Sequence, residues 1–143
     1  MTNHSINILE QFNQKLFELF KKNYLTNKEY SPEYQYKCIK SLDYWFTIYD
    51  NNDNIIVSCS VIQENNNIYE INDVLVEEQF RGNNYSILLI MNVLHYFEQN
   101  FTDKINIKIM AELNNQSAYH SYTKVFGKPY RSDNIYSYFS YVI

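Results

Sequence analysis

Glycine is almost absent from this chain, and this scarcity restricts where the backbone can turn sharply. Only two of the 143 residues are glycine, Gly82 and Gly127. Gly82 lies between a strand-like run that ends at Val76 and a helix-like run that begins at Tyr85, and Gly127 follows a second helix-like run. Because glycine suits a backbone that turns sharply or comes close to a ligand, the segment around Gly82 is the first candidate for a functional turn.

Hydrophobic periodicity indicates that helices and strands alternate along one domain. Apolar residues at three- and four-residue spacing predict an amphipathic helix over Ile6–Tyr24, and a second helix is predicted from Ser31-Pro32 to about Leu42. The segments predicted after these are, in order, strands Tyr44–Tyr49, Ile55–Gln63 and Ile68–Val76, helix Tyr85–Phe97, a strand through Ile105, Ile107 and Ile109, helix Gln116–Val125 and strand Tyr136–Val142. This order predicts an α/β (α+β) domain over residues 1–143, in which helices cover a mixed sheet.

Composition and charge exclude several classes of function. The net charge is −4 and only two arginines are present, Arg81 and Arg131, which argues against nucleic-acid binding because phosphate contacts need a basic surface. The two cysteines, Cys38 and Cys59, show no metal-binding or redox spacing, so we expect a cytoplasmic protein with reduced thiols and no bound metal. No apolar run approaches the roughly 20 residues of a membrane-spanning helix, and the first ten residues do not resemble a signal peptide.

The turn from Gln79 to Asn84 has an arrangement that suits phosphate binding. It joins a predicted strand to a predicted helix, so the turn amides and the N–H groups at the helix N-terminus point toward one place. Arg81 would add a positive charge there. The same residues also fit an ordinary strand-to-helix turn, so the pattern alone leaves both interpretations open.

Two segments carry a resemblance to a known family. Gln79, Arg81 and Gly82 match the Q/R-x-x-G-x-G/A motif of the GNAT superfamily of N-acetyltransferases, in which Asn84 replaces the second glycine. Asn tolerates positive φ better than most residues. The segment from Asn115 to Lys124 resembles the superfamily's second motif, N-x-x-A-x-x-x-Y-x-K, although the order Phe126-Gly127 reverses the Gly-Phe that usually follows.

The resemblance implies a mixed, mostly antiparallel sheet flanked by about four helices, with acetyl-CoA as co-substrate and no metal. In such a protein, turn amides hold the pyrophosphate and the end of the preceding strand pairs with the pantetheine arm. One amide near Leu75 would polarise the thioester carbonyl. The residues that the resemblance assigns to acetyl-CoA are Val74, Leu75, Val76, Arg81, Gly82, Asn83, Asn84, Tyr85, Ser86, Asn115 and Tyr122.

The resemblance also implies the catalytic residues. Tyr122 occupies the motif position whose hydroxyl lies near the cofactor sulfur, where it would protonate the leaving thiolate. Two carboxylates, Glu70 and Asp73, compete for the general base that deprotonates the acceptor amine. In a regular strand they would point to opposite faces, and a bulge between them would change which one faces the acceptor.

The sequence indicates the acceptor amine less closely than it indicates the acetyl donor. Ile71-Asn72-Asp73-Val74-Leu75-Val76 is similar to a strand of the glucosamine-6-phosphate N-acetyltransferases, so an aminosugar phosphate is the leading specific candidate, with Arg131, Lys108 or Lys128 as its phosphate partner. Other small amines and protein amines stay open, and the loops expected to select among them are residues 26–33 and 129–134. The terminal strand could pair two copies as a homodimer. The alternative is an inactive module of the same fold that binds an acyl-CoA or a partner protein.

Overall fold

In the computed structural model, residues 44–143 are described, together with the backbone of residues 4–8 and the single residues Lys15, Glu18 and Leu19. The described strands are β1 (His4–Ile8), β2 (Tyr44–Asp50), β3 (Ile55–Asn65), β4 (Ile68–Val76), β5 (Asn106–Glu112), β6 (Arg131–Ser132) and β7 (Tyr136–Val142). The two α-helices bounded within this part of the chain are α1 (Tyr85–Asn100) and α2 (Gln116–Phe126), and a short 3₁₀ helix spans Glu78–Phe80.

The seven strands form one sheet in the order β1-β2-β3-β4-β5-β7-β6. Neighbouring strands are antiparallel except for β4 and β5, which are parallel because α1 crosses over between them. The prediction of a mixed, mostly antiparallel sheet covered by helices is therefore confirmed.

The core forms where α1 and α2 pack on the sheet. The buried side chains of α1 recur at three- and four-residue spacing: Leu89, Ile90, Val93, Leu94 and Phe97. The Phe97 ring lies 4.8 Å from that of Tyr69 in β4, centroid to centroid, and stacks on Phe101 at 5.0 Å. Helix α2 contributes Tyr122, whose ring meets Phe139 of β7 edge-on at 5.9 Å. These contacts fix both helices against the central strands.

The structure corrects the predicted start of the chain. Residues 6–8, predicted as the beginning of a helix, belong to β1 instead, and Ile6 and Ile8 pair with Ile48 and Phe46 of β2. The described residues Lys15, Glu18 and Leu19 are helical. The predicted helix over residues 31–42 and the predicted acceptor loop 26–33 lie outside the described residues.

The second predicted acceptor loop, residues 129–134, contains the short strand β6, which pairs with β7 through Arg131 and Ser132. The sequence predicts a loop here, so β6 is a difference from that prediction. No helix in the described ranges is long and apolar enough to cross a membrane.

Candidate active site

The two parallel strands at the centre of the sheet pair over only part of their length. Their register runs from Ile68↔Asn106 to Ile71↔Ile109 and ends there. Beyond that point β4 stays with β3 as far as Val76, whereas β5 stays with β7 as far as Glu112. The strands therefore diverge and leave a cleft between them.

This cleft holds a cavity of about 270 Å³. Its lining residues are Ile71, Asn72, Asp73, Val74, Ile109, Met110, Ala111, Glu112, Asn115, Ala118, Tyr122 and Tyr136. Four of the residues that the sequence assigned to the donor site or to catalysis are thus brought together here. They are Asp73, Val74, Asn115 and Tyr122.

A bulge in β4 accompanies the divergence. Ser60 pairs with Asn72 and Ser58 pairs with Leu75, so two residues of β4, Asp73 and Val74, oppose the single residue between those serines. Asp73 has φ of 54°, a left-handed conformation that aspartate adopts more readily than most residues. Because a bulge bends its strand, this conformation turns the end of β4 and brings Asp73 to the cleft.

The turn before α1 has the backbone geometry that the sequence indicated. Gly82 has φ of 81° and Asn84 has φ of 62°. A Cβ added to Gly82 would meet nothing within 4 Å, so conformation rather than space explains the glycine. Asn84 is the residue at the start of α1, and its side chain makes no capping hydrogen bond. The amides at the start of α1 therefore receive no hydrogen bond from this side chain, and such helix N-termini favour anions.

Side chains within the turn fold back on its backbone. The Nε of Arg81 donates a hydrogen bond to the carbonyl oxygen of Val76 at 3.2 Å, and the amide of Asn83 donates to the carbonyl oxygen of Phe80 at 3.1 Å. Both side chains are exposed. Arg81 thereby links the end of β4 to the turn and lies on the surface beside the start of α1.

Tyr122 is a buried tyrosine that lines the cleft. Its side chain is 7% exposed, and burial raises the pKa of the phenol above its ordinary value. The hydroxyl therefore keeps its proton across the neutral range. Asn115 has a structural role beside it, because its side-chain oxygen accepts a hydrogen bond from the Ala118 amide at 3.0 Å and caps α2.

Glu70 lies in a second cavity, of about 150 Å³, that adjoins the cleft. Ile109 and Met110 line both cavities. The charged residues around the second cavity are Glu64, Glu70, Lys108 and Arg131. Glu70 and Asp73 therefore lie in adjoining cavities rather than side by side, and Glu70 rather than Asp73 shares its cavity with basic side chains.

The pKa of Glu70 is raised from 4.5 to about 7, mainly by burial and further by a hydrogen bond with Glu64 and by the Glu64 charge. Lys108 opposes this change. Lys108 lies beside Glu70 in the register of β4 and β5, and its Nζ is 3.8 Å from a carboxylate oxygen of Glu64. Sequence reasoning missed Glu64. No sequence motif marks it, and its place follows from the strand register, in which it lies two residues beyond Ile62, the residue that pairs with Glu70.

The hairpin of β6 and β7 positions the second basic residue. The guanidinium of Arg131 lies over the ring of Tyr138 at 4.2 Å, and the Tyr138 hydroxyl donates a hydrogen bond to Asp133 at 2.5 Å. This bond and two backbone amides lower the pKa of Asp133 to about 2. The described ion pair at this cavity joins Lys108 to Glu64 and does not include Arg131.

Within the described ranges, no group of three or more His, Cys, Asp and Glu side chains is placed to hold a metal ion.

Comparison with known sequences identifies the family. The sequence profile of the acetyltransferase (GNAT) family matches residues 11–127. The chain therefore belongs to the GNAT family, and it is an N-acetyltransferase that uses acetyl-CoA as its co-substrate. No curated protein sequence matches the chain at a significant level.

Solved structures share the fold at low sequence identity. The protein PH1933 from Pyrococcus horikoshii OT3 superposes with a TM-score of 0.73 at 16% identity, covering 96% of this chain and 97% of that one. The N-acetyltransferase PseH of Campylobacter jejuni, in complex with acetyl coenzyme A, gives 0.67 at 15% identity, covering 97% and 98%. A variant of the spermidine N-acetyltransferase SpeG from Vibrio cholerae gives 0.66 at 17% identity, covering 97% and 93%.

The described residues fit acetyl-CoA. The end of β4 departs from β5 and leaves strand backbone along the cleft, and the uncapped start of α1 follows within ten residues. The end of β4 suits this co-substrate because strand backbone can pair with amides of the pantetheine arm. The start of α1 suits it because a helix N-terminus attracts phosphate.

Proposed function

We propose that the protein moves an acetyl group from acetyl-CoA directly to a primary amine. The observation that carries this proposal is the adjacency of two cavities, one with a protonated Tyr122 and one with Glu70, that meet at Ile109 and Met110. Acetyl-CoA bound in the cleft would then have Tyr122, the acid for its leaving thiolate, on one side. The acceptor amine and its base, Glu70, would lie on the other side. When bound, acetyl-CoA supplies the acetyl thioester.

The co-substrate is bound mainly by backbone in this proposal. The β4 backbone from Val74 to Val76 pairs with the pantetheine arm, and the amides from Arg81 to Ser86 hold the pyrophosphate. The left-handed conformations of Gly82 and Asn84 support this role, because they orient successive turn amides. The amide of Leu75, next to the bulge, is the proposed donor to the thioester carbonyl.

Glu70 is the proposed general base. A base works best when its pKa lies near the working pH, and the pKa of Glu70 is raised to about 7. The carboxylate accepts the proton of the acceptor ammonium, whose pKa is about 10 in water. Asp73 is assigned a conformational role instead, because its left-handed backbone forms the bulge that opens the cleft.

Tyr122 is the proposed acid for the leaving thiolate. Its hydroxyl belongs to a buried side chain on the cleft wall and stays protonated at neutral pH. Proton donation to sulfur at this position would prevent the thiolate from accumulating as the acetyl group leaves.

The proposed acceptor carries an anionic group beside its amine, with an aminosugar phosphate such as glucosamine 6-phosphate as the specific candidate. Arg131 supports this choice, since it lines the same cavity as Glu70 and is held on the Tyr138 ring, where its charge also acts on Asp133. A guanidinium can bind phosphate through two parallel hydrogen bonds. Lys108 is less suited, because it already pairs with Glu64.

Two assays test this proposal. Calorimetric titration with acetyl-CoA and CoA should show binding, and release of free CoA thiol should follow addition of glucosamine 6-phosphate. Glucosamine is the matched acceptor without phosphate, and spermidine is a cationic comparison. Arg131→Ala should raise the KM for glucosamine 6-phosphate but not for glucosamine. Equal rates with both sugars would contradict the phosphate site, and binding without turnover on any amine would favour an inactive acyl-CoA-binding module.

Three broader expectations stay predictions: a single domain over residues 1–143, a cytoplasmic location and a homodimer through β7. Sedimentation at several concentrations and fractionation of cells that express the chain would test the last two.

A further inference from the structure

The second cavity contains two carboxyl groups in a site where the reaction needs one base. Glu64 comes from the end of β3 and Glu70 from the middle of β4. Ile62 is paired with Glu70 and therefore shares its face of the sheet. Glu64 lies two residues further along β3, at a register irregularity, so the cavity lining and not strand alternation places its side chain beside Glu70. Both side chains line the same cavity.

Interaction between these carboxyl groups requires a proton. Glu64 and Glu70 line one cavity, where a hydrogen bond with Glu64 contributes to the raised pKa of Glu70, and two ionised carboxylates offer only acceptors. One of the pair must therefore be protonated when the bond exists. Above the pH at which that proton leaves, the two charges repel each other, and Lys108 is a compensating cation, with its Nζ 3.8 Å from Glu64.

The other groups facing Glu70 do not substitute for Glu64. The described titratable and charged side chains that line its cavity are Glu64 from β3, Lys108 from β5, Arg131 from β6, Tyr138 from β7 and Tyr130 just before β6. Glu64 is the one carboxylate among these neighbours. Its side chain is 38% exposed, so solvent reaches the pair through Glu64.

We propose that Glu64 is a positioning residue that acts through Glu70: the two carboxyl groups hold one proton between them, and Lys108 determines how readily that proton is lost. This inference rests on the proposed base role of Glu70. When Glu70 takes a proton from the acceptor ammonium, the N–H bond breaks, an O–H bond forms on Glu70, and Glu64 accepts a hydrogen bond from it. Water then removes the proton through the exposed side of the pair.

Two substitutions should shift the midpoint of the Glu70 titration in opposite directions, which distinguishes this arrangement from a purely structural role of Glu64. Glu64→Gln removes the like charge and the shared proton, so the midpoint of Glu70 titration should fall by about one pH unit. Lys108→Met removes the cation that favours the ionised pair, so the midpoint should rise by a similar amount. Glu98→Gln, on the exposed side of α1, and Lys104→Met, in an exposed loop, are matched controls for the two charge changes.

The midpoint can be measured without an acceptor. Carbon-detected NMR of the full chain, labelled at the glutamate carboxyl carbons, follows each titration, and Glu70→Gln assigns the Glu70 signal. A lower midpoint in Glu64→Gln with a higher one in Lys108→Met is the expected result. A Glu70 midpoint that is the same in Glu64→Gln and wild type would overturn the proposal, provided thermal unfolding shows both folded.

Kinetics separate this inference from the base assignment. The acidic limb of the kcat/KM profile, measured by CoA release with the best acceptor of the panel, should move with the NMR midpoint in each variant. If Glu70→Gln retains wild-type kcat/KM at pH 8, the base role fails, although the NMR midpoints still decide whether the proton is shared. If Glu70→Gln is inactive but Glu64→Gln does not move the acidic limb of the kcat/KM profile, the base role of Glu70 stands and the shared proton is refuted.

Discussion

Replacing Glu70 by glutamine should remove activity and, at alkaline pH, stabilise the fold. The folded protein raises the pKa of this carboxyl from 4.5 to about 7. The folded state therefore holds the proton more tightly than the unfolded state, and the free energy of unfolding falls as pH rises from about 4.5 to about 7. Above that window Glu70 is charged in the folded protein and lowers the free energy of unfolding by its full amount. Glutamine carries no charge and has no such effect.

The size of this effect follows from the pKa difference. Each pKa unit corresponds to about 1.36 kcal/mol, so a change from 4.5 to about 7 sets an upper limit of about 3 kcal/mol. Glu70 is only half-buried, and solvent screening reduces the expected gain to about 1–2 kcal/mol. For a domain of this length, about 1 kcal/mol corresponds to a few degrees in Tm.

The assay compares thermal unfolding of wild type, Glu70→Gln and Glu98→Gln at pH 5 and pH 8.5. Glu70→Gln should unfold at a higher temperature than wild type at pH 8.5, and the difference should shrink at pH 5, where the folded wild type holds its proton. Glu98 is exposed on α1, so Glu98→Gln should follow the wild type at both pH values. A Glu70→Gln protein no more stable than wild type at pH 8.5 would refute the electrostatic argument.

The same variant tests the catalytic role. With a pKa of about 7, about one tenth of Glu70 is ionised at pH 6, so wild-type kcat/KM should decline with falling pH through neutrality. Loss of a general base costs about 10²- to 10⁴-fold, and Glu70→Gln should lose that factor at pH 8. An unchanged kcat/KM at pH 8 would exclude Glu70 as the base.

The remaining predictions concern the cleft and the turn. Tyr122→Phe keeps the ring that packs on Phe139 but lacks the hydroxyl, so kcat should fall about 10²-fold with the Kd for acetyl-CoA unchanged; full turnover would remove the acid role. Arg81→Ala should raise the calorimetric Kd for acetyl-CoA about tenfold, whereas Lys104→Ala should not, and a normal Kd in Arg81→Ala would contradict the turn as a phosphate site. Asp73→Asn should retain activity and stability, whereas Asp73→Ala should lose about 1 kcal/mol of stability because its φ of 54° suits alanine poorly; an inactive but stable Asp73→Asn would instead identify Asp73 as the base.

The sequence predicted the central part of the fold well, because hydrophobic period and turn chemistry agree there. The predicted strand Ile68–Val76 matches β4 residue for residue, and α1 begins at Tyr85 as predicted. The prediction for the start of the chain was wrong for a specific reason. Its apolar residues fit a helical spacing from Ile6 onward, but Ile6 and Ile8 also alternate as in a strand, and pairing with β2 determined the outcome.

The candidate site was predicted as a set of residues and not as a geometry. Motif matching found Tyr122 and the Gly82 turn because both occupy fixed spacings. It could not choose between Glu70 and Asp73, because that choice depends on the bulge, and the left-handed conformation of Asp73 is a property of the strand pairing. Glu64 has no motif at all, and it became visible only when the register of β3 and β4 brought it to Glu70.

Strand β5 forms a wall shared by the two adjoining cavities, which we propose hold the acetyl donor and the acceptor amine. It is held by four parallel pairs with β4 and seven antiparallel pairs with β7, and its residues Ile109 and Met110 line both cavities. A substitution that shifts β5 to suit a different amine would therefore disturb the acetyl donor as well. New acceptor preferences should consequently arise around Arg131, which borders one cavity only, and specificity in this chain can change at its periphery while the shared wall stays fixed.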